Sequence, residues 1–257
     1  RGRMRHSPAD AAHDRDGLLV VGAAAIATLA GGLRRGGAQD ELALLARRDP
    51  DDPDPPALAA WAGSIFAVGR RSEVEAAIAA AGLSRDDFAT LDADGGLVTP
   101  GLVDPHTHLL FAGSREGELL LRLRGAGYLD ILAAGGGILA TVRATRAASR
   151  EALLAHGRHW LAEMLRHGAT TVEVKSGYGL DVPTELRLLD VAGALGVEGP
   201  VGIVPTFLGA HAVPPEFATP GRPAVGTERY ARHVIDVQLP AVAAQGIARF
   251  CDVFCER

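Results

Sequence analysis

His106 and His108 close the run Pro100-Gly101-Leu102-Val103-Asp104-Pro105-His106-Thr107-His108, directly after an apolar stretch. On an extended strand, residues two apart point to the same side, so both imidazoles would face one point from the strand's C-terminal end. Imidazole suits Zn, Fe, Ni or Cu. A catalytic site of this kind keeps a position open for a water that ionises near neutral pH. The chemistry this would allow is metal-assisted hydrolysis. A bare His-x-His pair is weak by itself, and two satisfied surface histidines are then the commoner reading.

Other reactive residues resolve blandly. His156, His159 and His167 lie in one helical stretch, and only the first two share a face, which reads as solvated. Gly135-Gly136-Gly137 lacks a following Gly-Lys-Ser/Thr and is not a common phosphate loop; it is expected to frame a mobile loop beside the site. No Gly-x-Ser-x-Gly elbow occurs, and Cys251 and Cys255 have no histidine partner motif. The two cysteines read as reduced, half-buried thiols.

Two rhythms surround the histidines. Residues 1–96 read as a small β-rich module. Leu18 to Leu29 and Ala60 to Val68 are its apolar strands, and Glu73 to Ala81 is a helix ended by Gly82. Residues of about 34–56 hold a Pro/Asp-rich surface loop with no core-forming power. Arg1, Arg3 and Arg5 before Leu18 to Ala30 resemble a signal peptide in outline. Asp10, Asp14 and Asp16 interrupt it, and the run falls short of the roughly 20 apolar residues of a membrane span, so a buried strand pair is the preferred reading.

From Leu97 to Arg257 strands and helices alternate. Strands are expected at Leu97–Val103, Thr170–Val174, Val201–Phe207 and Ile247–Phe254. Helices are expected at Glu151–His167, Pro183–Leu195 (ended by Gly196) and Glu228–Ala244. The strands are continuously apolar, as in parallel β/α units covered on both faces. Four strands are too few for a closed eight-stranded barrel of about 250 residues. The alternatives are a smaller open sheet or the front part of a longer protein with an exposed apolar edge.

Within this frame Gly-Leu-Val-Asp-Pro-His-Thr-His resembles the end of the first barrel strand in the amidohydrolase superfamily. Further segments narrow the likeness: Phe111-Ala112-Gly113-Ser114-Arg115-Glu116, Tyr128-Leu129-Asp130-Ile131-Leu132, Gly135-Gly136-Gly137-Ile138-Leu139 and Thr145-Arg146-Ala147-Ala148-Ser149. Glu173-Val174-Lys175-Ser176-Gly177-Tyr178-Gly179-Leu180 and Thr206-Phe207-Leu208-Gly209-Ala210-His211-Ala212 complete the series. In order and spacing, from about Leu97 to Glu256, they resemble the imidazolonepropionase family. The first ~95 residues match only loosely.

The resemblance implies an amidohydrolase-type (β/α)8 barrel, only about its first half present, after a β-sandwich module. It implies hydrolysis of the cyclic amide of 4-imidazolone-5-propanoate to N-formimidoyl-L-glutamate in histidine degradation. His106 and His108 would hold one Zn or Fe ion per subunit. Arg115 would meet the propionate, since a guanidinium fork matches a planar carboxylate. Tyr178 would offer its hydroxyl from a glycine-flanked turn. His211 would be both catalytic and substrate-binding, at the ring or its carbonyl. Unaided by the family, Arg115 and His211 read as ordinary loop residues and Tyr178 divides evenly. Lys175 could be carboxylated and bridge two metals, as in the binuclear relatives, but this likeness is to a mononuclear family. The third histidine ligand, a glutamate and an aspartate belong to later strands, so this chain is expected to be truncated and weakly active alone. Rival readings are a hydantoinase- or dihydroorotase-like hydrolase, and a non-catalytic fragment.

Composition bounds the rest. The 257 residues are 47% hydrophobic and 22% charged, which excludes a disordered tail or a disulfide scaffold. A net charge of −5 and 5% aromatic residues argue against a nucleic-acid partner. The expected partner is the small-molecule substrate, with no membrane, a cytoplasmic location and room in the family for a homodimer.

Overall fold

The computed structural model describes residues 16–127, 130 and 135–255. The expectations for Arg1, Arg3, Arg5, Asp10, Asp14, Tyr128, Leu129, Ile131, Leu132, Glu256 and Arg257 lie outside the described residues. The chain divides into two compact units, meeting between Pro100 and Gly101.

The first unit is β-rich. Strand β1 (Gly17–Val21) lies between β4 (Pro56–Trp61), antiparallel, and β6 (Phe88–Asp92), parallel, with β5 (Ser64–Arg70) outside β4. A three-stranded sheet joins β3 (Leu44–Ala46), β2 (Ala25–Ala27) and β7 (Leu97–Val98). Helix α1 (Arg71–Ala80) places Val74 and Ile78 with Leu19, Ala57, Ala59 and Phe88 in one core. The single strand expected over Ala60–Val68 is instead a hairpin. Ala62 and Gly63 both take positive φ, 47° and 78°, the pattern of a tight primed turn that reverses the chain. The Pro/Asp loop is also tied down. Asp52, 8% exposed, accepts from the Arg48 and Asp54 N–H groups and from Arg70 Nη1 at 3.0–3.1 Å. Its carboxylate organises the loop where sequence composition showed only polarity.

The second unit is α/β. Strands β8 (Leu102–Thr107), β9 (Ala169–Lys175), β10 (Gly202–Ala210) and β11 (Phe250–Val253) form a parallel sheet in chain order. This is the arrangement of consecutive β/α units and is compatible with part of a barrel. Helices α2 (Glu116–Leu123) and α3 (Ile138–Ala147), absent from the sequence reading, follow β8. Helix α4 (Arg150–Arg166) starts where the Ser149 hydroxyl accepts from the Ala152 N–H. Helix α5 (Val182–Glu198) starts at Asp181, which caps Thr184. It runs through Gly196 and ends at Gly199, so Gly196 is not a stop signal. Instead it packs closely on β10, where a Cβ would lie 3.2 Å from Ile203 Cβ. The last helical run, α6 (Pro223–His233) and α7 (Leu239–Gln245), is longer than expected and carries a π turn, Val234–Gln238.

The expected strand Leu97–Val103 is split, because Pro100-Gly101 separates β7 from β8 and puts them in different units. The α/β unit holds two apolar clusters: Leu110, Leu153, Val172, Leu188 and Leu195 in one, and Val142, Leu189, Phe207 and Tyr230 in another. Val172, Val174 and Phe207 share one face of the sheet, while Glu173, Lys175 and Thr206 alternate with them, so the strands are not covered by apolar packing on both faces as expected. The outer strands remain open, with Leu102 and Val103 of β8 and Phe250 and Val253 of β11 each 57–63% exposed. Cys251 and Cys255 are exposed rather than half-buried, Cys251 on the edge strand β11 and Cys255 just beyond it. Among the described residues no helix is long and apolar enough to cross a membrane.

Candidate functional site

In a parallel sheet all C-terminal strand ends fall on one side, where α/β folds gather their reactive groups. Here that side carries His106 on β8, His108 just beyond it, Tyr178 after β9, and His211 after β10.

His106 and His108 rings stand 5.9 Å apart, centre to centre. Two imidazoles on one tetrahedral zinc place their centres about 5 Å apart, from the Zn–N length and angle. The pair is therefore close to the spacing one ion requires. The Nδ1 atom of His108 is buried without a hydrogen-bond partner among the described residues. Burial, then the neighbouring His211 and His106, push the His108 imidazole down to about 4, leaving it in the neutral form that binds metal. His211 is placed differently. Its ring stacks on His108 at 4.7 Å and 11°, so the two rings do not converge in plane on one ion. Among the described residues no group of three or more His, Cys, Asp or Glu is arranged to hold a metal. The histidine pair is two such residues, short of that number.

His211 Nδ1 lies 2.8 Å from the Gly177 carbonyl. A carbonyl only accepts, so Nδ1 carries the proton and Nε2 is left as an acceptor. Burial lowers this imidazole against the pull of that same carbonyl, so the acceptor form persists at neutral pH. Tyr178 stands 4.9 Å from His108 and 5.3 Å from His211, ring to ring. Burial pushes its phenol up while the nearby Arg115 guanidinium pulls it down.

The Tyr178 loop is held by a group the sequence did not reveal. Glu185, fully buried on α5, accepts from the Gly177, Gly179 and Leu180 N–H groups at 2.8–3.0 Å, and Ser176 also bonds to it. Burial pushes this carboxyl up; those donors oppose the shift. The spacing of Glu185 within a helix gives no signal of this role. Gly177, at φ 107°, is required for the close approach of the loop to β10. A Cβ there would meet the Leu208 carbonyl at 2.7 Å.

A cavity of about 340 Å³ opens beside these rings, lined by His108, Phe111, Gly113, Arg115, Thr141 and Tyr178. Arg115, exposed at the start of α2, makes no ion pair among the described residues. The structure thus brings Arg115, Tyr178 and His108 to one space, with His211 behind His108 and His106 beside it.

Lys175 serves otherwise. Its ammonium bonds Glu173 Oε1 and Asp252 Oδ2 at 2.9 Å each, and Thr206 Oγ1 donates to Glu173 Oε1 at 2.6 Å. Burial works against the charged amine, but the two carboxylates hold Lys175 above its ordinary value. A protonated amine is no nucleophile for carboxylation. His156 departs from the solvated reading: it is half-buried edge-on to the Phe111 ring at 4.5 Å, with Nε2 unpartnered.

No family model matches the chain. Curated imidazolonepropionases do. The protein of Haloarcula marismortui is 52% identical over 194 residues, covering 76% of this chain and 43% of the relative. That of Alkaliphilus metalliredigens is 56% identical over 167 residues, covering 65% and 38%. That of Symbiobacterium thermophilum is 47% identical over 240 residues, covering 93% and 52%, and so extends the likeness well into the first unit. A solved fungal ochratoxinase, from A. niger, is similar at 15% identity and a TM-score of 0.39 over 75% of this chain and 32% of its own, too distant to bear on the argument. The chain spans about half the length of the curated relatives it matches. Over that span the chain belongs to the imidazolonepropionase family.

Proposed function

We propose that this chain carries the substrate-binding half of a site that hydrolyses the cyclic amide of 4-imidazolone-5-propanoate to N-formimidoyl-L-glutamate. The observation that carries this reading is the convergence of unpaired Arg115, Tyr178 and His108 on one cavity of about 340 Å³, a size suited to a single small ring with a short acidic chain. In fold terms the reading implies the front of an amidohydrolase-type barrel after a β-sandwich module.

The guanidinium of Arg115 pairs with the propionate and fixes the ring's orientation. Tyr178 packs beside the ring and offers its hydroxyl. The unprotonated Nε2 of His211 accepts the ring N–H, a contact its tautomer favours over donation to the ring carbonyl. Glu185 keeps the Tyr178 loop in register with His211 and so positions both. His106 and His108 are the residues of this chain that would hold a Zn or Fe ion, His108 being neutral and its Nδ1 unpartnered among the described residues. When bound, such an ion supplies Lewis acidity and activation of water. In the overall step water adds to the ring carbonyl carbon, the carbon–nitrogen bond breaks, and the leaving nitrogen takes a proton.

The test is a substrate panel. Arg115→Met should weaken handling of 4-imidazolone-5-propanoate by about tenfold or more, the loss of a charge-assisted pair, and leave an uncharged cyclic amide such as hydantoin unaffected. Equal loss on both substrates would rule out Arg115 as the carboxylate partner.

A further inference from the structure

Thr141 sits in the first turn of α3 (Ile138–Ala147), is 7% exposed, and lines the same cavity as Arg115 and Tyr178. Its hydroxyl makes no hydrogen bond among the described residues. Thr145, one turn further and fully buried, is by contrast engaged: it accepts from the Ala112 N–H at 3.0 Å. The Thr141 Oγ1 atom is not closed off from water; it opens on the cavity and is free to donate to a group bound there.

The surroundings say what that something carries. Helical side chains lean toward the helix N-terminus, the end that carries the helix's partial positive charge. Arg115 adds a full, unpaired positive charge to the same cavity. The neighbouring carboxylate, Glu118, is already engaged, accepting from the Gly137 N–H at 2.6 Å and facing Arg122 at 3.9 Å. The cavity therefore combines a cation with a hydroxyl that has no partner among the described residues.

We propose that Thr141 is a specificity-determining residue of this cavity, its hydroxyl donating to the same ligand carboxylate that Arg115 pairs with. The inference rests on the reading above that the cavity takes a ring bearing a short acidic chain. The guanidinium supplies charge and the hydroxyl fixes which carboxylate oxygen lies toward α3. A neutral ring of the same shape would leave both groups unsatisfied and bind more weakly.

Calorimetric titration of the purified chain with imidazole-4-propanoate and with uncharged 4-propylimidazole tests this. The parent should prefer the acid. Thr141→Val, which keeps the shape and removes the hydroxyl, should weaken the acid about tenfold, the usual scale for a hydrogen bond to a charged group. The neutral probe should change by less than about twofold, within the ordinary scatter of a contact it does not use. Thr141→Ser should restore acid binding. If the valine variant does not fold, Thr141→Ala carries the same expectation. Should Arg115→Met abolish the acid preference while both Thr141 variants keep it, the Thr141 assignment is wrong and the carboxylate reading stands. A parent chain with no preference for the acid overturns both.

Discussion

Glu185→Ala probes the carboxylate that holds the Tyr178 loop. In the native structure three buried N–H groups, those of Gly177, Gly179 and Leu180, end on this one side chain at 2.8–3.0 Å. Truncation leaves all three without an acceptor in a region closed to water. Each unsatisfied buried donor costs about 1–3 kcal/mol, and relaxation of the loop recovers part of the sum. A loss of about 4 kcal/mol is expected, at the upper end of single substitutions. Glu185→Gln retains an acceptor at Oε1, where the Gly179 and Leu180 bonds terminate, but turns an amide toward Gly177. It should cost only about 1–2 kcal/mol, one lost bond rather than three. Urea unfolding followed by circular dichroism gives the two losses from the shift in midpoint at unchanged slope. Amide hydrogen exchange resolves them locally, because Gly177, Gly179 and Leu180 should lose protection together in the alanine variant. An alanine variant within about 1 kcal/mol of the parent, with those three amides exchanging at native rates, would refute the argument.

Three further expectations follow from the same geometry. Gly177→Ala places a Cβ 2.7 Å from the Leu208 carbonyl at a φ of 107°, and should destabilise by about 2 kcal/mol or more, read from the urea midpoint; a neutral result would refute the close approach of the loop to β10. Asp52 is held below its ordinary 3.8, first by the Arg48 N–H and also by Arg70, so its contribution to the first unit is full above that value. As pH falls through the lowered folded value the contribution disappears, whereas Asp52→Asn should flatten this acid limb of a stability–pH profile. Parallel profiles would exclude Asp52 as its source. Among the described residues strand β11 bonds to β10 alone and exposes Phe250 and Val253, so its amides should exchange well ahead of those of the central strand β9. Equal protection would show that the edge is covered in solution.

Much of the second unit was legible in the sequence because its signals are local. Apolar runs alternating with amphipathic ones specify β/α units, and chain connectivity alone makes those strands parallel neighbours. The same logic places His106 and His108 at a strand end, since residues two apart on a strand share a side. Local signals also mislead where one residue type serves two ends. Gly196 reads as a helix stop but lies within the helix, closely packed on Ile203, and the Ala62-Gly63 turn hides inside a run that looks like one strand. Contacts between distant segments left no trace. Nothing near Glu185 announces that three amides of the preceding loop will end on it, and nothing near Thr141 announces the open space it faces. The stacking of His211 on His108 likewise requires that the ends of β8 and β10 first be brought level by β9 between them. The sequence by itself determined the residue types, the strand-end placement of the histidines and the family. Only the tertiary structure decided which of those groups face one another, because burial and hydrogen-bond satisfaction belong to the assembled sheet and not to any one segment.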